Sequence, residues 1–184
     1  MSIFSQRLSR IQPSPTIAIT SKAKKLKQEG KQIIDFSAGE PDFDTPDNVK
    51  KVAIEAINNG QTKYTPVNGT KELIESIIKK FKRENDLVFE PDEITVGCGG
   101  KQVIFNALLA TIEKGDEIII PAPFWVSYPD MALLVDGQPV VLDCSLDNNF
   151  KINPQDLENK ITNKTKWIII NSPSNPTGSG YTQK

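Results

Sequence analysis

Glu117-Ile118-Ile119-Ile120-Pro121-Ala122-Pro123-Phe124-Trp125-Val126-Ser127-Tyr128-Pro129 is the stretch that decides the fold. Three consecutive isoleucines after a charged residue read as a short strand buried on both faces, because a strand with one wet face would alternate apolar and polar residues. Two prolines then stop the run and stiffen the loop. A helix near 125–135 and a second strand at Pro139 to Leu142 follow. Strand, loop, helix and strand in that order form the repeating unit of a parallel α/β sheet.

The same grammar extends in both directions. Upstream, residues 70–84 form the clearest helix, with Leu73, Ile74, Ile77, Ile78 and Phe81 spaced by three and four. Ile94-Thr95-Val96 reads as a strand entering Gly97-Cys98-Gly99-Gly100, and a helix is expected over about 101–113. Thr45-Pro46 reads as N-cap and first residue of a helix carrying Val49, Val52, Ala53, Ala56 and Ile57, closed by Gly60. Ile33-Ile34-Asp35-Phe36 reads as a short strand, and residues 20–29 as a helix stopped by Gly30. Downstream, Asn153-Pro154 caps another helix and Trp167-Ile168-Ile169-Ile170 makes the last strand. The chain ends at Tyr181-Thr182-Gln183-Lys184, where a further helix is expected to start, so a sheet truncated on its C-terminal side is expected.

Composition removes whole classes of function. With 38% hydrophobic and 24% charged residues the chain is that of a globular protein, and a net charge of −1 gives no electrostatic reason to bind nucleic acid or anionic lipid. The cluster Lys22, Lys24, Lys25, Lys27 has the spacing of a solvated helix face. There is no histidine, which excludes Ser-His-Asp and Cys-His hydrolysis and histidine-based metal sites. Two cysteines, Cys98 and Cys144, make neither a disulfide framework nor a metal-ligand spacing. No apolar run reaches the roughly 20 residues of a membrane helix. Acidic residues begin only at Glu29, after Arg7, Arg10 and several serines, a composition shared with transit peptides. Pro13 and Pro15 are expected to interrupt an amphipathic helix there, so a surface arm and a cytoplasmic location are expected instead.

Four loops lie where strand-to-helix connections of a parallel sheet converge into a ligand crevice. Gly97-Cys98-Gly99-Gly100-Lys101-Gln102 would offer backbone N–H groups and one positive charge to an anion at a helix N-terminus. It matches neither the P-loop nor the dinucleotide fingerprint, and taken alone a tight turn explains it equally well. Trp125 could stack on a flat cofactor, although a single tryptophan is more often a core or rim residue. Asn171-Ser172-Pro173-Ser174-Asn175-Pro176-Thr177-Gly178 fixes an unusual backbone path, and Asn175 can donate and accept at once, which suits a ring oxygen as well as a plain turn. Ser37-Ala38-Gly39-Glu40-Pro41-Asp42-Phe43-Asp44-Thr45-Pro46 is a long connection in which Gly39 would let a carboxylate reach a backbone N–H.

Together the segments SAGEPDFDTP, TKYTPVNG, GGKQ, PAPFWVSYPD and NSPSNPTG resemble, in order and spacing, those of class I pyridoxal-phosphate aminotransferases of the bacterial aspartate aminotransferase type. The resemblance covers essentially the whole chain. It implies an α/β fold of aminotransferase fold type I, a mostly parallel sheet with helices on both faces, represented here by its N-terminal portion. Residues 1–45 would be the arm and part of the small domain, and 46–184 the first half of the large cofactor domain. Gly99, Gly100 and Lys101 would bind the phosphate of pyridoxal phosphate, Trp125 would stack on its ring, and Asn175 would meet the ring hydroxyl oxygen and substrate. Gly39 would meet the substrate carboxylate, and Tyr64 the phosphate in the partner subunit of a homodimer. The substrates implied are an amino acid, aspartate by preference with aromatic amino acids or prephenate left open, and a 2-oxo acid such as 2-oxoglutarate. No residue here matches the Schiff-base lysine: Lys101 sits in the phosphate turn and Lys184 is terminal. The chain is therefore expected to be inactive alone, whether as a fragment, a gene remnant or one half of a split enzyme. A transcription regulator with a related domain, which would carry a helix-turn-helix before Ser37, is not expected, and an ordinary nucleotide-binding fold is disfavoured by the failed glycine fingerprint.

Overall fold

Successive isoleucines of the 117–122 strand point into opposite layers, and that alternation organises the larger part of the molecule. The computed structural model describes residues 3–37 and 39–182, so Ala38 and the terminal Lys184 lie outside the described residues. Two compact units are present: Met1–Lys31 with Ile104–Lys184, and Gln32–Val103.

In the first unit, β1 (Glu117–Ala122) is the middle strand of a three-stranded sheet between β2 (Gln138–Asp143) and β3 (Thr165–Ile168). Both pairings are parallel, with Ile119 opposite Val140 on one side and Ile168 on the other. Ile118 and Ile120 pack against Leu108 of α4 (Gly100–Thr111), Ile112 just beyond it, and Met131 and Ala132 of α5 (Ser127–Leu134). Ile119 turns the other way, onto Leu142 and Cys144, with Leu157 of α6 (Pro154–Lys160) packed alongside. Helices therefore cover both faces, which is why this strand reads as continuously apolar. Its three isoleucines are at most 1% exposed, and burying each is worth roughly 1.5–3 kcal/mol. The expected parallel α/β architecture is the one observed.

The N-terminal helix corrects the sequence reading. α1 (Pro15–Gln28) begins at Pro15 rather than near residue 20. Proline at the first helical position loses no hydrogen bond, and the Ser14 hydroxyl accepts from the Ile17 N–H, so Pro15 starts the helix it was expected to interrupt. Before it, the 3₁₀ turn Gln6–Arg10 packs on α5. Arg7 Nη2 and Arg10 Nη1 reach the two carboxylate oxygens of Asp136 at 2.7 and 2.6 Å. Arg10 also donates to the Leu133 carbonyl at the end of α5 (3.3 Å). The Arg10 hydrogen bond, helped by Arg7, holds the Asp136 carboxyl below the usual aspartate range. A carboxyl lowered in the folded state contributes stability above its unfolded pKa of about 3.9, and loses it as pH falls through the lowered value. Asp136→Asn should therefore lower the urea midpoint at neutral pH, and the difference from wild type should close as the pH is taken below about 4. A difference that stays constant with pH would assign the effect to backbone shape at this left-handed residue (φ 64°) instead of to charge.

The second unit, Gln32–Val103, contains α2 (Asp47–Asn58), α3 (Lys71–Asn85) and the 3₁₀ turn Pro91–Glu93. Thr70 caps α3 through a hydrogen bond from the Leu73 N–H, and Ile74 of α3 and Ile94 after the 3₁₀ turn are buried among the unit's described residues. Phe81 and Phe89 meet edge to face with centroids 5.2 Å apart. The helix expected from Pro46 begins one residue later, with Pro46 as N-cap. Neither Ile33–Phe36 nor Ile94–Val96 is a strand. Ile34 and Phe36 are 85% and 92% exposed, and the Ile94 N–H turns back to the Pro91 carbonyl while the Val96 N–H goes to Asn68. An apolar run becomes a strand only with a neighbouring backbone to pair with, and within this unit neither has one. No helix among the described residues is long and apolar enough to cross a membrane.

Candidate functional site

Parallel sheets leave a crevice beyond the carboxyl ends of their strands. Here the ends of β1 and β3 open into a cleft whose apolar wall includes Pro121, Phe124, Tyr128 and Ile169. Its polar side is the loop after β3, which contributes Asn171, Ser174 and Asn175. Such a surface, mostly apolar with a few placed polar groups, is the usual make-up of a small-molecule site.

The loop holds its shape by local bonds. The Asn171 side-chain oxygen accepts from the Asn175 N–H (2.8 Å), and the Ser174 carbonyl accepts from the Gly178 N–H (2.7 Å). The peptide bonds before Pro173 and Pro176 are cis, and Gly178 takes the left-handed conformation at φ 72°. The unusual path expected from the prolines and glycine is thus present. Asn175 binds the loop through its backbone, and its carboxamide is unengaged among the described residues. Its exposed position on the cleft leaves both a donor and an acceptor available to a ligand.

Trp125 is half-buried and meets Tyr128 edge to face, with centroids 5.4 Å apart. It packs on the apolar cluster beneath rather than lining the cleft itself, which its neighbours Phe124 and Tyr128 do. Burial pushes the Tyr128 phenol above its ordinary value, so at neutral pH it is a neutral hydrogen-bonding group and not a base.

The other five residues singled out in the sequence belong to the smaller unit. Gly99, at φ 82°, makes the left-handed step that starts α4, and its N–H donates to the Gly97 carbonyl at 2.9 Å. The Cys98 N–H is bound by the Gln102 side chain, which closes the turn. A Cβ at Gly99 or Gly100 would meet no atom within 4 Å, so the approach to the first N–H groups of α4 is open. An anion with several oxygens fits this donor set: exposed helix N–H groups with the Lys101 ammonium adjacent in sequence. Gly39 and Tyr64 lie on separate exposed loops, and the Tyr64 ring is wholly exposed.

Some cleft residues escaped the sequence reading, among them Phe150 and Tyr181, which line the same cleft as Asn175. Phe150 sits in a turn with no glycine or proline to mark it, and Tyr181 drew attention only as a near-terminal residue.

Comparison with known proteins places this geometry. The aminotransferase class I and II family pattern matches residues 31–184. A probable aspartate/prephenate aminotransferase of Rickettsia prowazekii is 58% identical over 184 residues, all of this chain and 46% of the relative. The aspartate/prephenate aminotransferase of Nitrosomonas europaea is 58% identical over 178 residues, 97% of this chain and 45% of the relative. Among solved structures, the Thermus thermophilus aspartate aminotransferase with maleate superposes with a TM-score of 0.96 at 42% identity, over 100% of this chain and 48% of that one. The Rhizobium meliloti aspartate aminotransferase gives 0.93 at 46% identity, over 99% of this chain and 46% of that one. The chain thus spans about half the length of the relatives it matches, with the fold type I architecture of those structures, and it belongs to the aminotransferase class I and II family.

Proposed function

We propose that this chain supplies the cofactor cradle of an aminotransferase that moves an amino group between aspartate, or a related amino acid, and 2-oxoglutarate. The observation that carries the reading is the rigid loop at the end of β3, which holds the unengaged Asn175 carboxamide on an otherwise apolar cleft. The identity to aspartate/prephenate aminotransferases supports the substrate class.

Members of this family use pyridoxal phosphate, which when bound supplies an electron sink for the carbanion left by loss of the α-proton. The chain's own residues bind and orient. Gly99 makes the left-handed turn that presents the start of α4, where the Gly100 N–H and the Lys101 ammonium would hold the phosphate dianion. By the family resemblance the Trp125 ring would stack on one face of the pyridine, although within its own unit Phe124 and Tyr128 line the cleft and Trp125 packs on the cluster beside them. The Asn175 amide donates to the ring hydroxyl oxygen and fixes the ring's rotation. Gly39 would offer its N–H to the substrate carboxylate, and Tyr64, whose ring is wholly exposed, would reach the phosphate of a second subunit in a homodimer. In this reading residues 1–45 are the arm and part of the small domain, 46–184 the first half of the large cofactor domain, and the protein is cytoplasmic. The lysine that tethers the cofactor and moves the proton belongs to the other half of the family's length.

Turnover tests the reading. The purified 184-residue chain with pyridoxal phosphate should form no oxaloacetate from aspartate and 2-oxoglutarate. Joined to or mixed with the remaining half of the family's length, it should do so. Turnover by the 184 residues alone would refute the assignment of the lysine, and a completed protein that uses neither aspartate nor an aromatic donor would refute the reaction.

A further inference from the structure

The bonds inside the Asn171–Gly178 loop fix its shape but not its place on the cleft. Placement comes from Ser179 and Tyr181, just beyond the loop. The Tyr181 N–H donates to Ser172 Oγ (3.0 Å) and closes the base of the loop. The Tyr181 hydroxyl oxygen accepts from the Ile152 N–H (2.8 Å), and Ser179 Oγ donates to the Asn149 carbonyl (2.6 Å). The last two ties cross 29 and 30 residues to a single turn.

That turn is itself constrained. Asn149 and Phe150 are both left-handed, at φ 51° and 57°, a conformation that asparagine tolerates and a bulky aromatic rarely takes. The Phe150 N–H donates to the Ser145 carbonyl (2.9 Å) and Asn148 Nδ2 to the Lys151 carbonyl (3.0 Å), which pins the turn from within. Lys151 Nζ stands 5.9 Å from the centre of the Tyr181 ring. Phe150, Ile152, Ser179 and Tyr181 then line the cleft together with Asn175.

From this geometry we infer that Tyr181 is a positioning residue: its hydroxyl ties the Asn175 loop to the 145–152 turn and so sets where the Asn175 amide meets the cofactor's ring hydroxyl. The inference rests on the reading of Asn175 given above. It concerns a residue that touches the loop's support, and its effect reaches the ligand only through Asn175.

The test compares binding of pyridoxal phosphate with that of 3-deoxypyridoxal phosphate, which lacks the ring hydroxyl, by quenching of tryptophan emission. Wild type should prefer the hydroxylated cofactor. Tyr181→Phe keeps the ring and loses only the tie; that preference should fall by about 2- to 10-fold, the usual worth of one hydrogen bond. Ser179→Ala, which removes the second tie, should act in the same direction. In an Asn175→Ala background Tyr181→Phe should change the preference no further. An unchanged preference in Tyr181→Phe would overturn the inference, as would an equal loss of affinity for both cofactors, since that marks structural support alone. Absence of any preference in wild type would instead overturn the reading of Asn175 itself, and the inference with it.

Discussion

Asn175→Ala should weaken pyridoxal phosphate binding by about 10- to 100-fold while leaving the urea midpoint where it is. The asymmetry follows from how the loop is built. The loop uses the Asn175 backbone N–H, which alanine retains, and the acceptor is the side chain of Asn171. The deleted carboxamide makes no bond among the described residues, so the fold loses nothing. The ligand loses a hydrogen bond in a partly dry cleft, and bonds to charged or strongly polarised partners are worth about 1.5–3 kcal/mol. Each step of about 1.4 kcal/mol is a factor of ten in affinity. Asn171→Ala is the control: it removes the acceptor that holds the loop and should lower both affinity and the urea midpoint. Equal losses of stability in the two variants would mean that Asn175 is a turn asparagine and not a ligand-binding one.

What the sequence disclosed about this site depended on how local the cause was. The 171–178 loop was legible because prolines and a glycine constrain the backbone at their own positions. The glycines at 97–100 announced a tight turn in the same way, and Gly99 takes the left-handed conformation such a turn requires. The opposite wall was not. Nothing in the residue types marks Phe150 as left-handed, and the partner that makes Tyr181 important lies 29 residues away. The fold divides along the same line. Ile118-Ile119-Ile120 reads as a buried strand and is one, since β2 and β3 flank it and helices cover both faces. Ile33–Phe36 and Ile94–Val96 are short, largely apolar runs too and are not strands, because pairing is a property of the neighbour. The stripe of α2 announces a helix correctly, yet Val52 and Ile57 are each 64% exposed: periodicity reports which face is apolar, not whether anything covers it. Pro15 was misjudged because the same residue breaks a helix in its interior and begins one at its first position.

Leu108→Ala should cost about 2–5 kcal/mol of unfolding free energy. Leu108 is 0% exposed, and its cluster draws Ile118 and Ile120 from β1, Met131, Ala132 and Val135 from and just after α5, and Ile112 just beyond the end of α4. Neighbours that belong to two elements besides α4 itself cannot all close on a void, because moving one toward it pulls that element away from its own partners. The cavity therefore persists, and its cost adds to the lost burial. Val141→Ala offers the contrast: Val141 is 39% exposed on an outer strand, and the space it leaves opens to water, so the loss should stay near or below about 1 kcal/mol. Trp125 and Trp167 both pack against the Leu108 cluster, so tryptophan emission in a urea titration reports its opening directly. A Leu108→Ala cost below about 1 kcal/mol would show that the cluster relaxes into the gap, and that Trp125, resting on it, is not held rigidly enough to serve as a fixed stacking face.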